Sequence, residues 1–269
     1  MKLDKSMKIA FIGGGAMGEA MIKCMLIKKL AVPQSMVISD VSPARRDWLG
    51  REYRVTTLAD NCIAAENADL VVLAVKPFNL PQIMADIKAL SSEQLVISVV
   101  AGAKLSTLSE GLGHNAVVRA MPNTPAQIGE AMTVWTATPE TGQRQKELAQ
   151  TVLGALGKEI YVADEKYLDM ATGLSGSGPG YVFLFIESLI DAGVHIGLPR
   201  DIAQRMVIQT VYGSVCTVEK TGTHPAELKN SVTSPGGTTA DGLFQLEKGA
   251  FRSIIIEAVS AAYRKSQGL

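Results

Sequence analysis

The chain has 269 residues, with 26 basic and 26 acidic side chains and no formal net charge. That balance excludes the basic excess that nucleic acid or an anionic membrane surface would require. With 47% hydrophobic residues the chain is not disordered, and its length suits one large domain or two modest ones. The polar start MKLDKSMK lacks the apolar core of a secretory signal. The longest uncharged run, 170–186, is broken by Gly176, Gly178, Pro179 and Gly180, which argues against a membrane span. The expected location is the cytoplasm. Cys24, Cys62 and Cys216 are far apart, without C-x-x-C spacing, and read as buried thiols in a reducing compartment. His114, His195 and His224 share no ligand spacing and read as surface or satisfied core residues, so no metal is expected.

Ile9, Ala10, Phe11 and Ile12 form a short apolar run that reads as a buried strand. Gly13, Gly15 and Gly18 follow at the spacing G-x-G-x-x-G, and a helical segment opens after them. In such a unit the first glycine allows the tight turn and the second lets backbone approach a pyrophosphate. The third lets helix and strand pack closely. The free N–H groups at the helix start would hold the phosphates, so the stretch predicts dinucleotide binding. A helix to about Lys29 leads through Pro33 to a second strand, Met36–Ser39. It ends at Asp40, where an acid would meet adenosine ribose hydroxyls. Ser39, Ser42, Arg45 and Arg46 crowd the same loop and would suit a 2′-phosphate, so NAD and NADP both stay open.

Three further runs read as central parallel strands: Leu70–Val75, Leu95–Val100 and Ala116–Ala120. Helical segments at Cys62–Asn67, Pro81–Leu90 and Leu105–Gly111 separate them. The alternation predicts right-handed crossovers and a doubly wound sheet, with ligands at the carboxyl ends of the strands. Lys76-Pro77, Ala101-Gly102 and Asn123-Thr124 would then face the same crevice as the glycines. Strands at Met132–Thr136 and Glu159–Val162, with a helix at Gln143–Leu156 between them, complete a domain of residues 1–164.

From residue 165 onward no strand run recurs, and helical periods fall at Tyr181–Ile196, Arg200–Lys220 and Phe251–Ser266. Residues 165–269 therefore read as an all-helical domain. The run Tyr181–Ile186 is apolar nearly all round, and so small a domain covers such a helix with difficulty, so a partner subunit is the natural cover. The stretch SVTSPGGTT, Ser231–Thr239, precedes a helical segment at Leu243–Lys248. It is either a plain capped loop or a small uncharged pocket in which converging N–H groups hold a carboxylate. The stretch TGLSGSGPGY, Thr172–Tyr181, reads first as close helix packing through small residues.

AVKP at Ala74–Pro77, RAMPNTP at Arg119–Pro125, LSGSGPGYVF at Leu174–Phe183 and SPGGTT at Ser234–Thr239 together resemble the pyrroline-5-carboxylate reductase family. The likeness runs the length of the chain, with the motifs in order. It implies an N-terminal Rossmann-type α/β domain and a C-terminal all-helical dimerisation domain, in homodimers often joined into decamers. It implies reduction of the cyclic imine 1-pyrroline-5-carboxylate to L-proline, generally with NADPH. By resemblance, Ile12, Gly13, Gly14, Gly15, Ala16, Met17 and Gly18 would hold the pyrophosphate, with Ser39 near the 2′ end. Asn61, Ala74, Val75, Lys76, Pro77, Val100, Ala101 and Gly102 would line the rest of the cofactor. Ser234, Gly237 and Thr238 would hold the substrate, with Glu165 nearby. Asp40 departs from the family, where an uncharged residue is common, so NADH stays open beside NADPH. A β-hydroxyacid dehydrogenase relative would need a lysine as acid/base near the substrate, and Lys229, the only lysine close to the second motif, reads as a surface residue. A non-catalytic NADP sensor would not need the SPGGTT loop.

Overall fold

The computed structural model describes residues 7–87 and 90–268. Most of the polar start, residues 1–6, and residues 88–89 of the helix expected at Pro81–Leu90 lie outside the described residues. The chain packs as two compact units, Met1–Ser177 with Ala261–Leu269, and Gly178–Ser260. The sequence alone suggests a boundary after residue 164, where the last strand ends.

The first unit is built on an eight-stranded sheet. Its strands are β1 (Ile9–Ile12), β2 (Met36–Ser39), β3 (Thr56–Leu58), β4 (Leu70–Leu73), β5 (Leu95–Ser98), β6 (Val117–Met121), β7 (Ala131–Ala137) and β8 (Gly157–Tyr161). Their spatial order is β3-β2-β1-β4-β5-β6-β7-β8. All pairs are parallel except β6 with β7. This departs from an unbroken series of crossovers. Residues 122–130 are too few to carry a crossover to a parallel strand, so the chain turns back instead. The order of the first six strands reverses between β1 and β4, which puts a crevice at their carboxyl ends.

The strand runs read from the sequence hold because both sheet faces are covered. Phe11, Val72 and Ile97 point into one apolar cluster with Met21, Ile22 and Met25. Their neighbours Ile12, Val71 and Val96 point into another with Ala64, Ile83 and Leu108. The helices supplying these clusters include α1 (Ala16–Ile27) and α2 (Pro43–Tyr53) on the first face. On the second lie α3 (Asn61–Glu66), α4 (Leu80–Asp86) and α5 (Leu105–Leu112). Alternation along a pleat puts successive side chains on opposite faces, so an apolar run without polar breaks fits only a doubly covered strand. Burying each large side chain contributes roughly 1.5–3 kcal/mol. The helix α6 (Gln143–Gly154) joins the first face, and α7 (Lys166–Ala171) packs beside Val134 of β7.

The second unit holds α8 (Gly178–His195), α9 (Arg200–Thr221), α10 (Pro225–Ser231), α11 (Thr238–Lys248) and most of α12 (Phe251–Ser266). Within 178–260 Ala203 is the one buried residue among the described residues. Phe183 and Leu184 are 62% and 63% exposed, and Met206, Phe244 and Ile256 are also exposed. A unit that leaves this much apolar surface in water has no core of its own.

Among the cysteines, Cys24 is buried with its thiol donating to Ala126 O, Cys216 is half-buried, and Cys62 is exposed. The exposure of Cys62 corrects the expectation of three buried thiols; it follows from its place on the outer side of the first turn of α3. His114 is buried and bonded to Gln94 O at 2.9 Å, whereas His195 and His224 lie at the surface.

Candidate functional site

The turn from β1 into α1 depends on its glycines. Gly13 has φ +99°, and a Cβ there would lie 2.6 Å from Ala74 O. Its N–H donates to Ser39 O at 2.8 Å, and Ala74 N donates to Ile12 O at 2.8 Å. Gly13 is thereby fixed between the carboxyl ends of β2 and β4. A Cβ at Gly18 would overlap Gly13 O. Gly15 is different, with nothing within 4 Å of where its Cβ would sit. It stands at the N-cap of α1, and no side chain caps that helix start. An open backbone edge over unpaired N–H groups suits a pyrophosphate. Ala16 and Met17 open α1 directly behind it. The cradle fits a dinucleotide by shape: the glycines that must be small touch protein, and the one facing outward touches nothing.

The loop after β2 is crowded by polar groups. The Asp40 carboxylate accepts from Gly14 N through Oδ2 and from Ser42 N through Oδ1, both at 2.9 Å. Arg45 donates from Nε to Gly14 O at 2.5 Å, pairs with Glu19, and stacks 4.8 Å from the Trp48 ring. Arg46 donates from Nη1 to Asp40 O at 2.6 Å. Tyr53 donates to the other Glu19 oxygen at 2.9 Å. Burial, and then that bond to a carboxylate, push the Tyr53 phenol up to about 12. The Ser39 hydroxyl is buried and donates to Asn61 Oδ1 at 2.6 Å, while Asn61 Nδ2 donates to Asp86 at 3.2 Å. Ser39 and Asn61 therefore brace the ends of β2 and α3 against each other. Sequence reasoning missed the Glu19–Arg45–Tyr53 network, whose only linear signal is a glutamate directly after the third glycine.

The remaining cofactor candidates sit at the ends of β4 and β5. Ala74 and Val75 are half-buried, and Lys76 and Pro77 are exposed where a short 3₁₀ turn begins. Val100 is buried, with half-buried Ala101 and Gly102 beside it. Val99 N donates to Leu73 O at 3.0 Å, so these two ends stand together with the Gly13 turn along one rim.

Glu165 stands elsewhere in the first unit. Its Oε1 accepts from Arg119 Nη1 at 2.8 Å and from Leu105 N at 2.8 Å. Arg119 Nη2 donates to Asp169 at 2.7 Å. The arginine side chain is only 4% exposed, so one buried cation on β6 holds two carboxylates of α7 and its cap, and one of those holds the start of α5. Between α7 and α8 the chain makes a π-helical turn, Thr172–Gly176, whose Ser175 O accepts from Asn123 Nδ2 at 3.0 Å. The TGLSGSGPGY stretch thus begins as a π-helical turn, a rare form frequent at functional sites.

In the second unit the structure brings Ser234, Gly237 and Thr238 together. Gly236 has φ +67°, and Gly237 N donates to Ser234 O at 3.0 Å. A Cβ at Gly237 would strike the Ser234 hydroxyl, so that hydroxyl lies over the N-cap. The helix α11 begins at Thr238, five residues before the predicted start at Leu243, and Gly237 caps it without a side-chain bond. The loop is therefore a helix N-terminus with open donors, not a spacer before one. Lys229 is half-buried and donates to Asn230 Oδ1 at 2.8 Å.

A curated Synechocystis protein, pyrroline-5-carboxylate reductase, is 44% identical to this chain over 264 residues, 98% of each. The chain belongs to the pyrroline-5-carboxylate reductase family. The Arabidopsis thaliana reductase is 40% identical, covering 98% of this chain and 96% of its own. The crystal structure of Plasmodium falciparum pyrroline carboxylate reductase with NADP bound superposes at a TM-score of 0.90, with 34% identity and 98% of both chains covered. A Coxiella burnetii pyrroline-5-carboxylate reductase superposes at 0.88, also with 34% identity and 98% of both chains covered. The family model for pyrroline-5-carboxylate reductase dimerisation matches residues 165–269. A model described as NADP oxidoreductase, coenzyme F420-dependent, matches residues 8–102. These matches agree with the reductase resemblance carried by the four sequence motifs.

Proposed function

We propose that the chain reduces 1-pyrroline-5-carboxylate to L-proline with NADPH, NADH being the alternative donor. The observation that carries this reading is the start of α11, which no side chain caps, where the Thr238 N–H and the Ser234 and Thr238 hydroxyls come together and Gly237 leaves room beside them. Such a pocket suits a substrate carboxylate without a cation. Residues 1–164 then form the dinucleotide-binding domain and 165–269 the substrate and dimerisation domain. The proposed location is the cytoplasm, in keeping with three free thiols. Among the described residues no helix is long and apolar enough to cross a membrane.

NADPH, when bound, supplies the hydride that adds to the ring carbon of the C=N bond. The chain's own contribution is placement. Residues 12–18 hold the pyrophosphate by backbone N–H groups, and Ser39, Asn61, residues 74–77 and 100–102 border the rest of the dinucleotide. The Ser234 hydroxyl and the Thr238 N–H hold the substrate carboxylate, with Gly237 giving the room for its approach, and the Thr238 hydroxyl aligns the ring nitrogen. Making a bimolecular encounter unimolecular is worth up to about 7–11 kcal/mol. A threonine hydroxyl is a poor acid, so Thr238 aligns and does not protonate. Glu165, engaged by Arg119 and Leu105 N, acts as a positioning residue for the helix that follows residues 100–102.

Replacing Thr238 by alanine keeps the peptide N–H and deletes one hydroxyl. The expected loss is about 1.5–3 kcal/mol in kcat/KM, seen mainly in kcat, with NADPH affinity unchanged. Nicotinamide absorbance with pyrroline-5-carboxylate measures it. Normal turnover in Thr238→Ala would remove this residue from the reaction, and no turnover by the parent protein would refute the reductase reading itself.

The exposed faces of α8 and α9 are proposed to close against a second copy, giving a homodimer that can join into decamers. The dimerisation model over 165–269 and the single buried residue of 178–260 support this. Sedimentation velocity at low concentration is expected to show a dimer or larger; a monomer would overturn it.

A further inference from the structure

We infer that Asn123 is a positioning residue for hydride transfer, acting through the π-helical turn that its side chain ties to the end of β6. This rests on the reductase reading proposed above. Asn123 stands in extended backbone at the N-cap of a short 3₁₀ turn, Thr124–Ile128, yet its side chain does not cap that turn. Its Oδ1 accepts from Met132 N at 3.0 Å, and its Nδ2 donates to Ser175 O at 3.0 Å. One partner can only donate and the other can only accept, so the amide is fixed in a single orientation. The α-helical donor to Ser175 O, four residues on, would be Pro179, which has no N–H. Asn123 supplies the donor that the proline cannot.

The contact belongs to a series along one strand. Arg119, Met121 and Asn123 alternate along β6 and its extension, so they share a face of the sheet. Arg119 holds Glu165 and Asp169 at α7, and Asn123 holds Ser175. Between them Met121 lies under Gly176, where a Cβ would come 2.8 Å from the methionine Cε. Arg119 to Asn123 covers about 13 Å of strand, and Glu165 to Ser175 covers about 15 Å of helix. The helical segment therefore lies along β6 with matching length. Arg119 grips it inside the sheet, whereas Asn123 grips it at the carboxyl end. That end shares its rim with β5, β4 and β1, since all these pairs are parallel. A dinucleotide lies across such a rim with one mononucleotide on each half of the sheet. The adenosine half falls at β1 and β2, so the nicotinamide falls on the side of β4, β5 and β6. The turn held by Asn123 borders that side, where the reacting atoms must come within about 3–3.5 Å of each other.

The test uses the full-length protein with Asn123→Asp and Asn123→Ser. Aspartate keeps the acceptor for Met132 N and turns the donor into a carboxylate oxygen facing Ser175 O. Serine is neutral and too short to reach both partners. Turnover of pyrroline-5-carboxylate is measured with NADPH and with NADPH deuterated at the transferred position, beside NADPH titration and thermal melting. Both variants should lower kcat by about tenfold to a hundredfold, with NADPH affinity within about twofold of the parent. The deuterium effect on kcat should rise, because a misplaced nicotinamide slows the chemical step itself. Loss of stability alone reduces the amount of active enzyme and leaves that isotope effect where it was. An unchanged isotope effect in both variants, with kcat per folded molecule as in the parent, would overturn the role, and so would failure of both variants to fold. A parent that turns over no pyrroline-5-carboxylate would instead refute the reductase reading, and this role with it.

Discussion

Arg119→Ala is expected to lower the stability of the first unit by about 3 kcal/mol in urea unfolding, near the low end of the cost of breaking a buried ion pair. The guanidinium sits on β6 with its side chain 4% exposed and bonds Glu165 and Asp169 together. Alanine leaves both carboxylates facing each other without a cation. Glu165 is 31% exposed, so water relieves part of the penalty there, while Asp169 at 19% is relieved less. Removing the charges as a set should undo much of the damage, since a buried triad replaced by neutral groups costs less than one member lost. Arg119→Met with Glu165→Gln and Asp169→Asn should therefore be more stable than Arg119→Ala alone. A single variant as stable as the parent would show that the clamp does not hold α5 and α7 to the sheet.

Gly15→Val is expected to abolish NADPH binding with the fold intact. No heavy atom lies within 4 Å of the Cβ position at Gly15, so the protein itself accepts the side chain. The space it fills is the space a pyrophosphate needs beside the α1 N-terminus. Gly13→Val differs, because its Cβ would press on Ala74 O from a left-handed backbone. Far-ultraviolet circular dichroism and nucleotide titration separate the two: Gly15→Val keeps its spectrum and loses binding, whereas Gly13→Val loses stability as well. Unchanged NADPH affinity in Gly15→Val would make the turn purely structural.

The central strands were legible because burial on both faces forces unbroken apolar runs, as in Leu70–Leu73 and Leu95–Ser98. The helix Phe251–Ser266 was legible to the residue, since Ile254, Ile255 and Val259 keep a helical period. The edge strand β3 was not. Thr56–Leu58 has three residues and is partly exposed, so neither length nor hydrophobicity marks it. The first turn of α11 was hidden because Thr238, Thr239, Asp241 and Gly242 favour caps and turns over helix interiors. The glycine turn could be read from spacing, but its neighbours could not. Arg45 and Glu19 are 26 residues apart, and only the packing of α2 beside α1 brings them together. Arg119 gave a partial signal, a charge inside an apolar strand, but its partners lie 46 and 50 residues along the chain.

A helical unit with Ala203 as its one buried residue draws little stability from its own packing. In the proposed dimer, part of its stability comes from mass action between copies. Dilution would act on this protein as a chemical denaturant does on others, and the melting temperature should climb with protein concentration. A substitution on the outward face of α9, such as one at Met206, would register as a loss of stability in assays that never mention assembly. Ligands that bridge copies would raise the melting temperature by the same linkage, so thermal shifts measured on this enzyme carry a concentration term in every value.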